Sequence, residues 1–353
     1  VLASLPRSLF VTRRLLLILA VTVLSACSSA NAFAQLAEAG FAGNVSGGST
    51  IVRFTDLDSL RTCLEASGNI CVPAAPMTLA PGIKRLQMAS NVTLDGNGIL
   101  DMKCDSRCIG INGSNNIVRN VRLSGPGPTQ TLWPDRFPDA NCTQPTTPKN
   151  LLGCAVPILV RDAKQVIIEH NEFTLCGDKC LVLDSSDAVT VRSNKFSNSY
   201  FTILALGRDA AGPPAHATVT ENIFNSVFRR SARASGAYVM HEFGNLFTGP
   251  CPRFRGEGFG PSAVTGAQAL VENNVADTGS CSALNISDEN NPKTAINRKT
   301  GGVRASGVML ARQNAGMEDR SDAVSFQIPY AYTRQDPEEL RATILRNAGV
   351  RQR

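Results

Sequence analysis

An all-β chain wound as a right-handed parallel β-helix is the fold class the sequence predicts, and three observations predict it. Segments of β-branched alternation recur, each ending in an Asn followed two residues later by a Phe. They are Val166-Ile167-Ile168-Glu169-His170-Asn171-Glu172-Phe173, Val189-Thr190-Val191-Arg192-Ser193-Asn194-Lys195-Phe196, Val219-Thr220-Glu221-Asn222-Ile223-Phe224 and Phe243-Gly244-Asn245-Leu246-Phe247. The spacing is the second observation. From Asn171 the steps to Asn194, Asn222, Asn245 and a fading copy at Asn273 are 23, 28, 23 and 28 residues, the period of one solenoid coil. The third is what is missing. Neither the regular Leu of a leucine-rich solenoid nor a 3.6-residue periodicity runs through these segments.

The elements follow in chain order. Arg7, Arg13 and Arg14 precede an apolar run from Leu15 to Leu24, which reads as a secretory leader over residues 1–26 and not as a membrane span. Leu24-Ser25-Ala26-Cys27 has the form of a bacterial lipobox, which makes Cys27 a lipidated N-terminus and the protein an outer-membrane lipoprotein. Cleavage after Ala34, in Ala32-Phe33-Ala34, is the alternative and gives a secreted or periplasmic protein. Leader removal lowers the formal charge from +6 to +3, too little to argue for a nucleic-acid partner.

A single domain is expected over residues 40–350. Asp58, Leu60, Cys63 and Leu64, ending at Gly68, form a short amphipathic helix that closes the first end of the solenoid. Asn97 and Asn120 extend the Asn series upstream, and the step of 51 from Asn120 to Asn171 hides an extra turn or an insertion. In each coil Val and Ile point inward, so Phe173, Phe196, Phe224 and Phe247 are expected in the core. The recurring Asn suits a stacked bend, because it tolerates left-handed angles and its amide bonds to the Asn of the next coil. Two stretches break the pattern, 125–155, with the lone Trp133, and 281–325. At the far end Asp336 caps a helix with Pro337 first and Glu338 and Glu339 in its first turn. Leu340, Ile344 and Leu345 face one way, and Gly349 ends it.

Eleven cysteines are many for a reducing compartment. Apart from Cys27 they fall into local couples, Cys63 with Cys71, Cys104 with Cys108, Cys142 with Cys154, Cys176 with Cys180, and Cys251 with Cys281. Disulfides are the expected reading, although spacing does not prove connectivity. Zinc is disfavoured, because the spacings are not CxxC and the histidines are only His170, His216 and His241.

Several segments in order resemble the pectate lyase family. Val52-Arg53-Phe54-Thr55-Asp56-Leu57 with Leu64-Glu65-Ala66-Ser67-Gly68 is similar to the family's opening. Ala89-Ser90-Asn91-Val92-Thr93-Leu94-Asp95-Gly96 is similar to its first full coil, and Ile328-Pro329-Tyr330-Ala331-Tyr332-Thr333 to its C-terminal pattern. The resemblance covers roughly residues 50 to 350. It implies an exported polysaccharide lyase that cleaves an acidic, uronic-acid polymer by β-elimination, and the protein is expected to act as a monomer. A non-catalytic glycan-binding or envelope protein on the same fold is the alternative. A hydrolase would need paired carboxylates on neighbouring coils, and no such Asp pair stands on the repeat strands.

The family's proposed base is an Arg in an Arg-x-Pro-Arg stretch. Here Phe228-Arg229-Arg230-Ser231-Ala232-Arg233 occupies that place, with Ala232 where the Pro would be. The resemblance thus implies Arg230 as base and Arg233 as carboxylate binder, with Arg229 beside them. An Arg is a poor base, and crowding by Arg229, Arg233 and Lys179 would disfavour its charged form. The same cations can stabilise the charge that develops on the substrate carboxylate. The family's calcium acids are mostly lost. Cys154-Ala155-Val156-Pro157 has none, and Gly177-Asp178-Lys179-Cys180 offers only Asp178 as a metal ligand. One carboxylate does not make a calcium site, so no cofactor is firmly implied. The family's binding Lys near Phe201-Thr202 is also missing. Lys179 stands where calcium-independent relatives place a cation.

Overall fold

The computed structural model describes residues 40–83, 85–125, 156–177, 179–199, 201–207, 213–227, 230–249, 260–277, 308–312, 315, 320–321 and 324–351. The expected leader with Cys27, Trp133, Asp178, Arg229 and the couples Cys142–Cys154 and Cys251–Cys281 lie outside them. The described strands build two sheets, one of seventeen and one of seven strands, wound as a right-handed parallel β-helix. The seven-stranded sheet runs Ser262–Val264, Arg230–Ser235, Phe201–Leu206, Lys179–Asp184, Ile158–Arg161, Ile109–Ile111, Leu86–Met88, and every neighbouring pair in it is parallel.

Alternation in each strand becomes columns in the stack. On the long sheet Ile168, Val191, Val219, Glu242 and Val271 hold one ladder position, and Val166, Val189, Ala217, Met240 and Ala269 another. All are buried. Across the interior the seven-stranded sheet contributes Leu181, Ile203 and Ala232, and Leu183, Ala205, Ala234 and Ala263. Phe173, Phe196, Phe224 and Phe247 form the expected interior pile, with successive ring centroids 4.8, 5.2 and 5.1 Å apart. Each buried Phe contributes about 1.5–3 kcal/mol by area, and each ring pair about 0.5–1.5 kcal/mol more.

The Asn stack corrects the predicted series by one residue. Asn171, Asn194, Asn222, Asn245 and Asn274 form it, each passing backbone and amide N–H groups to the side-chain oxygen of the next. Asn273 and Asn120 instead occupy the corner just before, with φ of 51° and 56°, alongside His170, Ser193, Glu221 and Gly244. The left-handed residue and the stacking Asn are therefore neighbours, not one residue. A stacking Asn must aim its amide along the solenoid axis, while the corner only needs a side chain that accepts positive φ. Asn97 is left-handed too, with φ of 50°, and is not part of the Asn stack. It lies where the register shifts between Asp95 and Leu100. The 51-residue step is an insertion and not an extra coil, since Asn116–Ser124 pairs directly with Lys164–Glu169 and Glu172–Thr174.

Three of the expected disulfides are present, Cys63–Cys71, Cys104–Cys108 and Cys176–Cys180. Helix α1 (Leu57–Glu65) buries Leu60, Cys63 and Leu64 as expected, with Asp58 in its first turn, and is capped by Asp56 in a capping box with Ser59. Helix α2 (Pro337–Asn347) is capped by Asp336 as expected. It covers a flank of the solenoid, where Leu340 and Ile344 pack on Ile223, Leu246 and Val275. Those three continue an outward column that earlier carries Asp101, Arg122, Glu172 and Lys195, so the apolar change in the column selects the docking place. Leu345 is 49% exposed and does not share the buried face.

Candidate active site

The seven-stranded sheet brings the predicted cations to one face. Strands Lys179–Asp184, Phe201–Leu206 and Arg230–Ser235 are neighbours, and the register puts Lys179 beside Phe201 and Phe201 beside Arg230. Lys179 Nζ lies 5.6 Å from the Phe201 ring centroid and Arg230 Cζ lies 5.5 Å from it. Two cations thus share one aromatic ring, each contact contributing about 0.5–2 kcal/mol depending on desolvation. The next outward column runs Leu159, Val182, Leu204, Arg233 and Ser262, so Arg233 emerges three residues along the strand from Arg230. Arg230 is 2% exposed, whereas Lys179 and Arg233 are half-buried.

Between these cations the face is apolar. Val156, Leu159, Val182, Phe201 and Leu204 form a buried cluster, with Leu206 packed against it. The described acid on this part of the sheet, Asp184, is engaged by Arg161 Nε at 2.7 Å. Calcium requires six or more oxygens, and among the described residues no group of three His, Cys, Asp or Glu is placed to hold a metal. Among the described residues the donor set does not suit calcium.

Sequence reasoning missed what lies beneath Arg230. The Thr202 hydroxyl donates to the Ser231 carbonyl, and Ser231 Oγ donates to Glu242 Oε1 at 3.2 Å. Glu242 is fully buried in the interior column between Val219 and Val271, and its Oε2 meets no hydrogen-bond donor. Burial pushes its carboxyl up to about 8, against a smaller downward pull from Ser231. The signal was available. Counting back three residues from each stacking Asn gives Ile168, Val191, Val219, Glu242 and Val271, one acid in an apolar series. The place of Phe201 as the ring shared by two cations follows from the strand register, which the sequence does not display.

The coil architecture has counterparts among known proteins. A family model described as a right-handed β-helix region matches residues 155–315. No curated protein sequence matches significantly. Solved structures match over most of their length. The major cedar-pollen allergen Jun a 1 is 16% identical, with a TM-score of 0.63, covering 89% of this chain and 92% of that one. A pectate lyase from a Paenibacillus species is 14% identical, with a TM-score of 0.61 and coverages of 88% and 95%. A pectate lyase from a Bacillus species, solved with trigalacturonate, is 17% identical, with a TM-score of 0.56 and coverages of 88% and 98%. At these identities the likeness shows a shared pectate lyase-like fold.

Proposed function

We propose that the chain is an exported polysaccharide lyase that cleaves a uronic-acid polymer by β-elimination on the outer face of the seven-stranded sheet, without calcium. The observation that carries this reading is the triplet Lys179, Phe201 and Arg230, two cations held on one ring with Arg233 on the adjacent column. In the proposed reaction Arg230 acts in its neutral form, which burial and the neighbouring cations favour, and becomes the guanidinium by accepting the C5 proton. The electron pair left at C5 is delocalised into the C6 carboxylate, where Lys179 and Arg233 stabilise the added charge. It then forms the C4–C5 double bond as the C4–O bond breaks, and the leaving oxygen takes a proton from water. The solved relative that holds trigalacturonate supports an acidic glycan as the ligand class. Three disulfides support export, because such bonds persist in oxidising compartments.

A second reading, a glycan-binding protein without turnover, is favoured by two facts. Arg230 is 2% exposed, and apolar side chains fill the floor between the cations. Absorbance of the unsaturated uronate product separates the readings. Leaderless protein is given polygalacturonate and methylated pectin, each with calcium and with chelator, beside Arg230→Ala. A rise that survives chelator and disappears in the variant is the expected result. A flat trace from folded protein on all uronans assigns the chain to binding.

A further inference from the structure

A second group of cations stands on the same sheet, several coils from Arg230. Arg107 lies in the loop closed by the Cys104–Cys108 disulfide, just before strand Ile109–Ile111, and is exposed. Arg85 precedes strand Leu86–Met88, and its side chain crosses the neighbouring strand, because a Cβ added at Gly110 would stand 2.8 Å from Arg85 Nε. The missing side chain at Gly110 is what leaves room for it. On the far side of that strand, Arg161 ends Ile158–Arg161 with its side chain 39% exposed. The three groups feel one another. Arg107 is lowered from the ordinary Arg value by partial burial first and then by the charges of Arg161 and Arg85, with Asp184 opposing. Asp184 is the acid that acts on Arg107, and it is already engaged by Arg161 at 2.7 Å, so cation charge remains in excess.

We propose that Arg85, Arg107 and Arg161 form a second carboxylate-binding station, which holds a uronate unit of a polymer already bound at the Arg230 face. This rests on the reading of that face as a polymer site. Guanidinium groups present planar forks that suit carboxylates, and a loop pinned by a disulfide holds its Arg at low entropic cost. Three strand spacings separate Arg161 from Arg230 and five separate Arg85 from it. At ~4.8 Å per spacing the stations are roughly 14 to 24 Å apart across the sheet, and Arg161, in register with Ser235, is further displaced along the strand from Arg230, so only an oligomer of several units touches both.

The test is calorimetric binding of tri- and octagalacturonate to the full leaderless protein and to Arg85→Ala/Arg107→Ala, with inorganic phosphate as a simple anion and a fully methyl-esterified octamer as the neutral control. The variant is expected to bind the octamer roughly tenfold more weakly, the combined worth of two exposed charge contacts, and the trimer unchanged. The wild-type advantage for the octamer is expected to shrink with salt and to be absent for the esterified chain. Unchanged melting of the variant shows that the fold is intact. Equal octamer binding by variant and wild type overturns the station while leaving the Arg230 face standing. Equal losses on trimer and octamer overturn it too, as does a wild-type preference for phosphate alone. If wild type binds no uronate of either length, the polymer site fails and the station falls with it.

Discussion

Two faces of this solenoid carry ionisable side chains and use them in opposite ways. On the long sheet His241 is fully buried and meets the Tyr330 hydroxyl through Nδ1 at 2.7 Å and Glu272 through Nε2 at 3.1 Å. Glu272, also fully buried, accepts from the Tyr332 hydroxyl and from Arg334 Nη2 at 3.0 Å, and the Tyr330 hydroxyl lies 2.8 Å from Thr218 Oγ1. The segment 324–336 lays these tyrosines on the sheet, and Phe41, from the other end of the chain, packs edge-on against Tyr330 at 5.3 Å. A His, a Glu and two Tyr are a chemist's active-site set, yet here each completes the others. On the seven-stranded sheet the cations stand on an aromatic ring and aliphatic neighbours, and among the described residues of its strands Asp184 is the one acid. A mutually satisfied polar network rigidifies the fold and holds segment 324–336 on the sheet. An excess of one charge is what an oppositely charged ligand completes.

The comparison breaks most sharply under single substitutions. Arg230→Ala is expected to lower turnover by about a thousandfold, the scale of losing a proton acceptor. A lyase assay against saturating polymer reads it. Glu272→Ala should do the reverse. It strips His241, Tyr332 and Arg334 of a shared acceptor, so urea unfolding is expected to show a loss of about 3 kcal/mol, with turnover per folded molecule within about twofold of wild type. Comparable losses of activity in both variants would erase the distinction between the faces.

The buried Glu242 sharpens the contrast through pH. Its carboxyl is protonated in the fold up to about 8, while the unfolded chain ionises it near the ordinary value of 4.5. The folded state therefore binds more protons in that window. The contribution is fully present below about 4.5, is lost as pH rises through about 8, and is constant above, a fall on the order of a few kcal/mol. Glu242→Gln is expected to flatten that slope in melting curves taken across the window, and a slope identical to wild type would remove the assignment. Phe201→Leu gives the smallest effect. It keeps an apolar side chain but removes the shared ring, and is expected to weaken oligomer binding about fivefold, the worth of about 1 kcal/mol.

Much of the scaffold was legible because it repeats. The Phe pile, the interior Val and Ile columns, three cysteine couples and the Asp336 cap each follow from a local pattern with a fixed physical reason. Errors of one residue arose where two roles sit side by side. Asn273 and Asn120 satisfy the composition of the stacking position but occupy the left-handed corner. The resemblance located Arg230, Arg233 and Lys179 along the chain, but not the ring that joins two of them. Arg230 and Phe201 are 29 residues apart and meet only through the strand register. The Arg85, Arg107 and Arg161 group was illegible for the same reason, since a glycine on a neighbouring strand is what lets Arg85 reach across.

The most direct measurement is a crystal structure of Arg230→Ala grown with a saturated hexagalacturonate. The account expects one uronate carboxylate within hydrogen-bonding reach of Lys179 and Arg233, with its C5–H directed at the space left by Arg230. An oligomer bound elsewhere, or C5 turned away from that space, would contradict it.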